Sequence, residues 1–529
     1  MDFASTSNAS KDLENSDDYY ELHKRDFKQV TNESDQFEED YNELKGAETY
    51  EETKLSWFSR FAAITAQAET KGVEPITDEE KNDPSLLNAA SMWFSANMVI
   101  AAYAIGILGP IAFGINFGTS VLCIFFFNII GGISVAFFSV FGAEFGLRQM
   151  ILSRFLVGNV TARIFCVINI VACVGWGAVN TLVSAQLLNT INEPHEIPLW
   201  AACLVIVGGT FIISFFGYNV IHAYEKWSWV PNLAVFFVII AQLSKSGHFT
   251  NGPWGGGPTT AAGVLTFGST IYGFAAGWTT YAADYTVYMP RNTNKYKIFF
   301  YLLLGLLTPL IFTMILGAAA GAAAVNNPEW LNYYNTNRAG GLTYAILAVD
   351  SLGGFGEFCC VLLAMSTIAN NIPNMYTIAL SVQALWEPLS KVPRVIWTII
   401  GNLFVFGLSV AAVYCFAGFM ENFMNSIGYY LSIYVGISCC EHFLFRKGFK
   451  GYNIEDWNDT SKLPVGYAGT AALIVGIFGV ALGMSQSYWT GEIGILIGGG
   501  ADIGFELGMS WSFLTYMVLR PIELKYVGR

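Results

Sequence analysis

The chain has 529 residues, is 53% hydrophobic and only 13% charged, and carries 53 glycines; its apolar residues gather in blocks of about twenty, the length that spans hydrocarbon. The net charge of −13 belongs to residues 1–88, which hold 22 acidic and 9 basic residues, while the other 441 balance at 18 against 18. These figures exclude an ordinary soluble enzyme and leave no basic surface for nucleic acid; they describe a polytopic protein embedded in a lipid bilayer.

Residues 1–88 are rich in Asp, Glu, Asn and Ser and read as a cytoplasmic, largely disordered acidic tail. Within it, Leu55 to Phe61 has the pattern of an amphipathic helix, for the membrane surface or for the protein's own cytoplasmic face. Residues 1–50 lack an apolar core, so no cleavable signal peptide is expected. The nine cysteines lie in or beside apolar blocks without metal-ligand spacing, which points to small-residue packing and not to a disulfide framework. No metal site is expected, and no catalytic constellation appears.

Twelve spans are predicted over 89–519, near 89–113, 119–141, 163–189, 199–217, 227–243, 264–283, 298–325, 355–385, 395–414, 423–443, 465–484 and 495–519, followed by a C-terminal tail at 520–529. With both termini cytoplasmic, sixteen Lys and Arg beyond the acidic tail fall inside and only Lys245 and Arg338 outside, as the positive-inside rule asks. The connection at 142–162 is too polar to span and too apolar for a free loop, so it should lie at the interface or pack beneath the bundle. The Gly- and Pro-rich stretch from Ser246 to Gly263 reads as an extended external loop.

Three spans carry unusual chemistry. In the third, Trp176 and Asn180 are four residues apart and share a face with Asn169 and Ser184, flanked by Gly175 and Gly177. An indole beside an amide suits a flat heteroaromatic ligand, stacked on its face and hydrogen-bonded at its edge, though a packed Trp with a buried amide would read the same way. In the sixth, Trp278 follows Gly277, with further glycines at 268 and 273 where the helix can unwind. The first span has a corresponding interruption at Gly106 and Gly109-Pro110. Breaks in the first and sixth spans match an inverted five-plus-five repeat, with repeat one at about 89–243, repeat two at about 264–443 and extra spans at about 465–519.

The eighth span contains Ile368-Ala369-Asn370-Asn371-Ile372-Pro373-Asn374-Met375-Tyr376. Amides and a proline are costly at membrane depth, because lipid offers no partners and Pro removes a helix hydrogen bond. On a helix, Ser366, Thr367, Asn370, Asn371, Asn374, Thr377 and Ser381 form one stripe about 140° wide, which must face other helices or an aqueous path. Asn370 and Asn374 lie within about 40° of each other, while Asn371 sits at the edge and reads as a helix–helix contact. Of the few ionisable groups near membrane depth, Glu225 follows the fourth span, Asp284 closes the sixth and Glu144 closes the second. Each is open to two readings, carrier of a coupling proton or partner of a nearby Lys or Arg.

Residues 87–97, 142–150, 222–232, 275–290 and 368–376 together resemble the fungal purine–cytosine permeases of the nucleobase–cation symporter family, a resemblance that runs from about Lys54 to Arg529. The resemblance implies an all-α membrane protein of twelve helices, with a LeuT-type inverted repeat plus two C-terminal helices. It implies a base held between Trp176 and Trp278, with Asn180, Asn370 and Asn374 at its edge, and a first-span contact around Ala102 to Ala104. It also implies coupling to H+, with Glu225 where the coupling carboxylate is expected; Ser366 and Thr367 keep a Na+ alternative open. The expected activity is import of cytosine, adenine, guanine and hypoxanthine across the plasma membrane, with no cofactor and the oligomeric state left open. A nucleobase sensor, or a carrier of another flat heterocycle such as a vitamin or nucleoside, is the rival.

Overall fold

The computed structural model describes residues 72–191, 196–216, 218–415 and 419–529. The expected helix at 55–61 and the tail before residue 72 lie outside the described residues. The longer helices are α1 (Leu86–Asn97), α2 (Ile100–Ile111), α3 (Phe117–Phe145), α4 (Gln149–Leu156), α5 (Asn159–Thr190), α6 (Leu199–Phe216), α7 (Tyr218–Ser246) and α8 (Gly257–Ala276). They continue as α9 (Lys295–Val325), α10 (Pro328–Leu347), α11 (Gly354–Leu385), α12 (Arg394–Cys415), α13 (Phe419–Cys440), α14 (Tyr467–Gly483) and α15 (Gly504–Val527). Helix starts follow local chemistry: the Ser85 hydroxyl accepts from the Asn88 amide at 3.2 Å, and Asn116, Asn294 and Asn327 cap α3, α9 and α10 in the same way.

Six helices are long and apolar enough to cross a membrane, and α1 with α2 forms a seventh candidate, bent by 54° at its break. They carry exposed Phe, Leu, Ile and Val, such as Phe126, Ile130, Val171 and Leu304, as lipid-facing helices do. Successive elements run between two faces. On the lower face, residues 72–85, the ends of α3 and α11, α4 and the 441–465 segment meet: Ile76 N donates to Gly146 O at 2.9 Å and Arg154 Nη2 to Ala384 O at 2.9 Å. On the upper face, Asn326 bonds Thr250 at 2.9 Å and Gln242 bonds Ser351 at 3.0 Å.

Several expectations are corrected. The first-span break lies at Met98–Val99, not at Gly106 or Gly109-Pro110. Gly106 instead lets α9 approach, since a Cβ there would sit 1.9 Å from Met314 O, and Pro110 falls in the last turn of α2, just before the helix ends at Ile111. Residues 72–88 are not free tail: Val73, Ile76 and Lys81 are buried, and Lys81 Nζ donates to Ala143 O at 3.1 Å. That burial pulls the Lys81 ammonium below its usual range, against the pull of Asp78 beside it. The fifth span begins at Tyr218, nine residues before its expected start, so Glu225 lies inside α7 and not in a link after the fourth span.

The loop after α7 is irregular only to Gly256, after which α8 begins, and the last helix is shifted to Gly504–Val527. Between α9 and α11 stands α10, kinked at Asn337–Arg338, an element that hydropathy did not reveal because its first half, with Glu329, Asn332, Asn335, Asn337 and Arg338, is polar. The 142–162 connection does pack beneath the bundle, for all eight residues of α4 are buried.

Candidate substrate site

The unwound break of the first span is the centre of the site. Between Asn97 and Ile100 the chain leaves backbone groups without helical partners, and side chains from other helices take them up. Asn370 Nδ2 donates to Ala96 O at 2.5 Å, and Asn232 Nδ2 to Met98 O at 3.1 Å. The Ser366 hydroxyl accepts from Ile100 N at 3.1 Å and donates to Leu363 O at 2.5 Å. Thr367 Oγ1 pairs with Ser184 Oγ at 2.6 Å.

The sixth span breaks in a matching place. Helix α8 ends at Ala276, and after Gly277 and Trp278 the chain winds as a 3-10 turn from Thr279 to Tyr285. Trp278 Nε1 donates to Asn97 Oδ1 at 3.1 Å, which ties the two breaks together. The Trp176 indole comes from α5 and lies against this bend, so that a Cβ on Gly277 would be 2.8 Å from Trp176 Cζ2. Phe274 and Phe423 hold its edge, with ring centroids 5.2 and 6.1 Å away. Replacing Gly277 by Ala is therefore expected to displace Trp176 and to weaken base competition at least about tenfold, with surface expression kept; unchanged competition would detach Trp176 from the site.

Asn180 is the hub of the amide wall. Its Nδ2 donates to Asn370 Oδ1 at 2.7 Å and to Asn371 Oδ1 at 2.9 Å. Asn371 also reaches Thr181 at 3.3 Å, the helix–helix contact its position suggested. Asn374 Oδ1 accepts from Tyr281 OH at 3.0 Å, and its Nδ2 donates to Asn370 O at 3.1 Å. Among the described residues, Trp176 Nε1, a donor, Asn180 Oδ1, an acceptor, and Thr377 Oγ1, which can be either, are buried without a partner. Such atoms are costly unless something pairs with them, and a flat ring with donors and acceptors at its edge has the groups to do so. The structure thus brings Trp176, Asn180, Trp278, Asn370 and Asn374 into one buried cluster.

The three carboxylates part company. Glu144 is partly exposed and forms an ion pair with Lys295 at 3.0 Å. Asp284 accepts from Gln149 N at 2.7 Å through Oδ1, capping α4, and its carbonyl accepts from Arg148 at 2.9 Å. Glu225 has no solvent exposure, and neither carboxylate oxygen has a partner among the described residues. Its backbone carbonyl accepts from Ser95 of α1, so it abuts the segment just below the first break.

Sequence reasoning missed Asn97 and Trp93. Trp93 packs edge-on with Trp278, ring centroids 5.2 Å apart, and Asn97 joins the two breaks by accepting from Trp278 Nε1. The cost of an amide inside an apolar span, which singled out Asn370 to Asn374, applies equally to Asn97.

A family model described as permease for cytosine/purines, uracil, thiamine and allantoin matches residues 75–491. The chain is 70% identical to the purine-cytosine permease FCY2 of Saccharomyces cerevisiae over 485 residues, 91% of each chain. It is 44% identical to the purine-cytosine permease fcyB of Emericella nidulans over 482 residues, 91% of this chain and 94% of that one. The vitamin B6 transporter TPN1 of Saccharomyces cerevisiae is 28% identical over 529 residues, covering 90% and 91%. Among solved structures, Mhp1, a nucleobase-cation-symport-1 family transporter in a closed conformation with bromovinylhydantoin bound, matches with a TM-score of 0.67 at 14% identity, covering 87% of this chain and 96% of that one. That likeness is one of fold.

Proposed function

The chain belongs to the family of permeases for cytosine/purines, uracil, thiamine and allantoin, a multi-pass membrane protein, and we propose that it imports cytosine, adenine, guanine and hypoxanthine across the plasma membrane with protons. The observation that carries the substrate is the buried trio of unpaired polar atoms, Trp176 Nε1, Asn180 Oδ1 and Thr377 Oγ1, within the cluster of Trp176, Trp278 and the Asn370–Asn374 wall. A base stacks between the indoles and pairs with the amides at its edge. The bundle makes twelve passes, with both termini cytoplasmic, so that the lower face is the inner one. Two five-pass repeats are broken at Met98–Val99 and at Gly277–Trp278, and α14 and α15 form the extra pair.

Alternating access requires the coupling ion to bind the outward and inward states differently. Glu225 suits a proton: it is wholly buried and unpaired, and it abuts α1, the segment that must move when the inner path opens. A sodium ion fits the same region less well. The carbonyls of Ala96 and Met98, which a cation would need, already accept from Asn370 and Asn232, and Ser366 is engaged at Ile100 N.

The kinship with a vitamin B6 transporter supports a second cargo class, another flat heterocycle held by the same stacking. Uptake of labelled cytosine into cells lacking their own permeases separates the readings. Protonophore-sensitive accumulation, inhibited by unlabelled purines and not by pyridoxine, is expected. Absence of accumulation with saturable binding would make the protein a receptor, and sodium dependence without protonophore sensitivity would overturn the proton.

A further inference from the structure

Below the substrate cluster, an aromatic column runs to the lower face. Trp93 meets Tyr285 with ring centroids 5.5 Å apart, and Tyr285 meets Tyr376 at 5.7 Å. Two arginines close its lower end over the same ring: the guanidinium carbon of Arg394 lies 4.7 Å from the Tyr376 centroid, and that of Arg148 lies 5.6 Å away. The column draws on α1, the 3-10 turn, α11, the residue before α4 and the first residue of α12, and all five side chains are buried.

The two arginines differ in their support. Arg148 donates Nη1 to Asp284 O at 2.9 Å, and its Nη2 is 3.4 Å from the Tyr288 hydroxyl. Arg394 is 4% exposed, yet its Nε and Nη1 have no hydrogen-bond partner, and no carboxylate pairs with it among the described residues. A buried cation with unpaired N–H groups is stabilised by water, which reaches it only when the surrounding helices part. Among the described residues, the Tyr376 face is the attraction that meets it.

We propose that Arg394 and Tyr376 form the opposed halves of an inner gate, in which the buried guanidinium drives the gate open and the tyrosine ring restrains it. The proposal rests on the alternating-access reading above and adds to it the residues that set how often the inner path opens. Because the two halves oppose each other, their removal has opposite effects. Arg394→Met keeps an unbranched apolar side chain and removes the charge that seeks water, so the gate stays closed longer. Tyr376→Leu removes the ring face and leaves the cation with nothing to hold it, so the gate opens more often.

The test places a single cysteine at Thr377, one turn nearer the lower face than Asn374, in a background that has lost its native cysteines and reaches the cell surface in normal amount. A membrane-impermeant maleimide is applied to inside-out vesicles without base. Arg394→Met should slow labelling at least about threefold and Tyr376→Leu should speed it by a similar factor. In the double variant, Tyr376→Leu should no longer speed labelling, because the cation it restrained is gone. Changes of the same sign in both single variants, equal rates in all of them, or additive effects in the double variant would overturn the gate. Labelling needs no base to move, so altered labelling in a protein that transports nothing would condemn the transport reading and leave the gate intact.

Discussion

Replacing Glu225 by Gln is expected to abolish concentrative uptake while leaving base exchange across the membrane. One pH unit supplies about 1.4 kcal/mol per proton and each 100 mV about 2.3 kcal/mol, enough together for accumulation of about five-hundredfold with one proton per base. Gln has the shape of the protonated acid but cannot release a proton, so the internal-to-external ratio of labelled cytosine should fall to about one. The expectation follows from the setting of Glu225: no exposure, no partner for either carboxylate oxygen, and contact through its carbonyl with Ser95 on α1. Steady-state accumulation in acid medium, with and without a protonophore, measures it. A Gln variant that still concentrates cytosine in a protonophore-sensitive way would acquit Glu225.

Removing the Asn180 amide should weaken base affinity by about 1–3 kcal/mol, about five- to 150-fold in competition assays. Two losses combine. The free acceptor Oδ1 disappears, and Asn370 Oδ1 and Asn371 Oδ1 lose the donor that holds them 2.7 and 2.9 Å from Asn180. Asn374→Ala belongs to the same range, since it strips an amide from the wall and leaves the Tyr281 hydroxyl without its acceptor. Inhibition of labelled cytosine uptake by unlabelled base, at matched surface expression, reads both. Unchanged inhibition by either variant would remove that residue from the base's edge.

The wall on the eighth span was readable from the chain because helical geometry is local. Residues at i, i+4 and i+7 share a face whatever packs against it, so Asn370, Asn374, Thr377 and Ser381 formed a stripe without any knowledge of neighbours. Trp176 and Asn180 were legible for the same reason. The sixth-span break was legible too, because Gly277 beside Trp278 has few uses in a straight span. The first-span break was not, because its glycines serve another purpose: Gly106 admits the backbone of α9 at a distance no side chain would allow, and a close approach leaves the same sequence mark as an unwound turn. The start of span five is not legible because His222 to Trp227 is polar enough to look like a link, whereas α7 runs through it from Tyr218.

By itself, then, the sequence determined what periodicity and transfer free energy decide: a membrane bundle, its polar stripe, its two tryptophans and the family to which its motifs belong. The tertiary structure decided which polar atoms meet. That Asn97 bridges to Trp278, that Asn232 and Asn370 take up the carbonyls of the first break, that Glu225 is left without a partner while Asp284 caps α4 and Glu144 pairs with Lys295, all depend on contacts between residues far apart in the chain. A hydrogen bond needs its two atoms within about 3 Å, and no periodicity along one helix specifies what stands that close on the next.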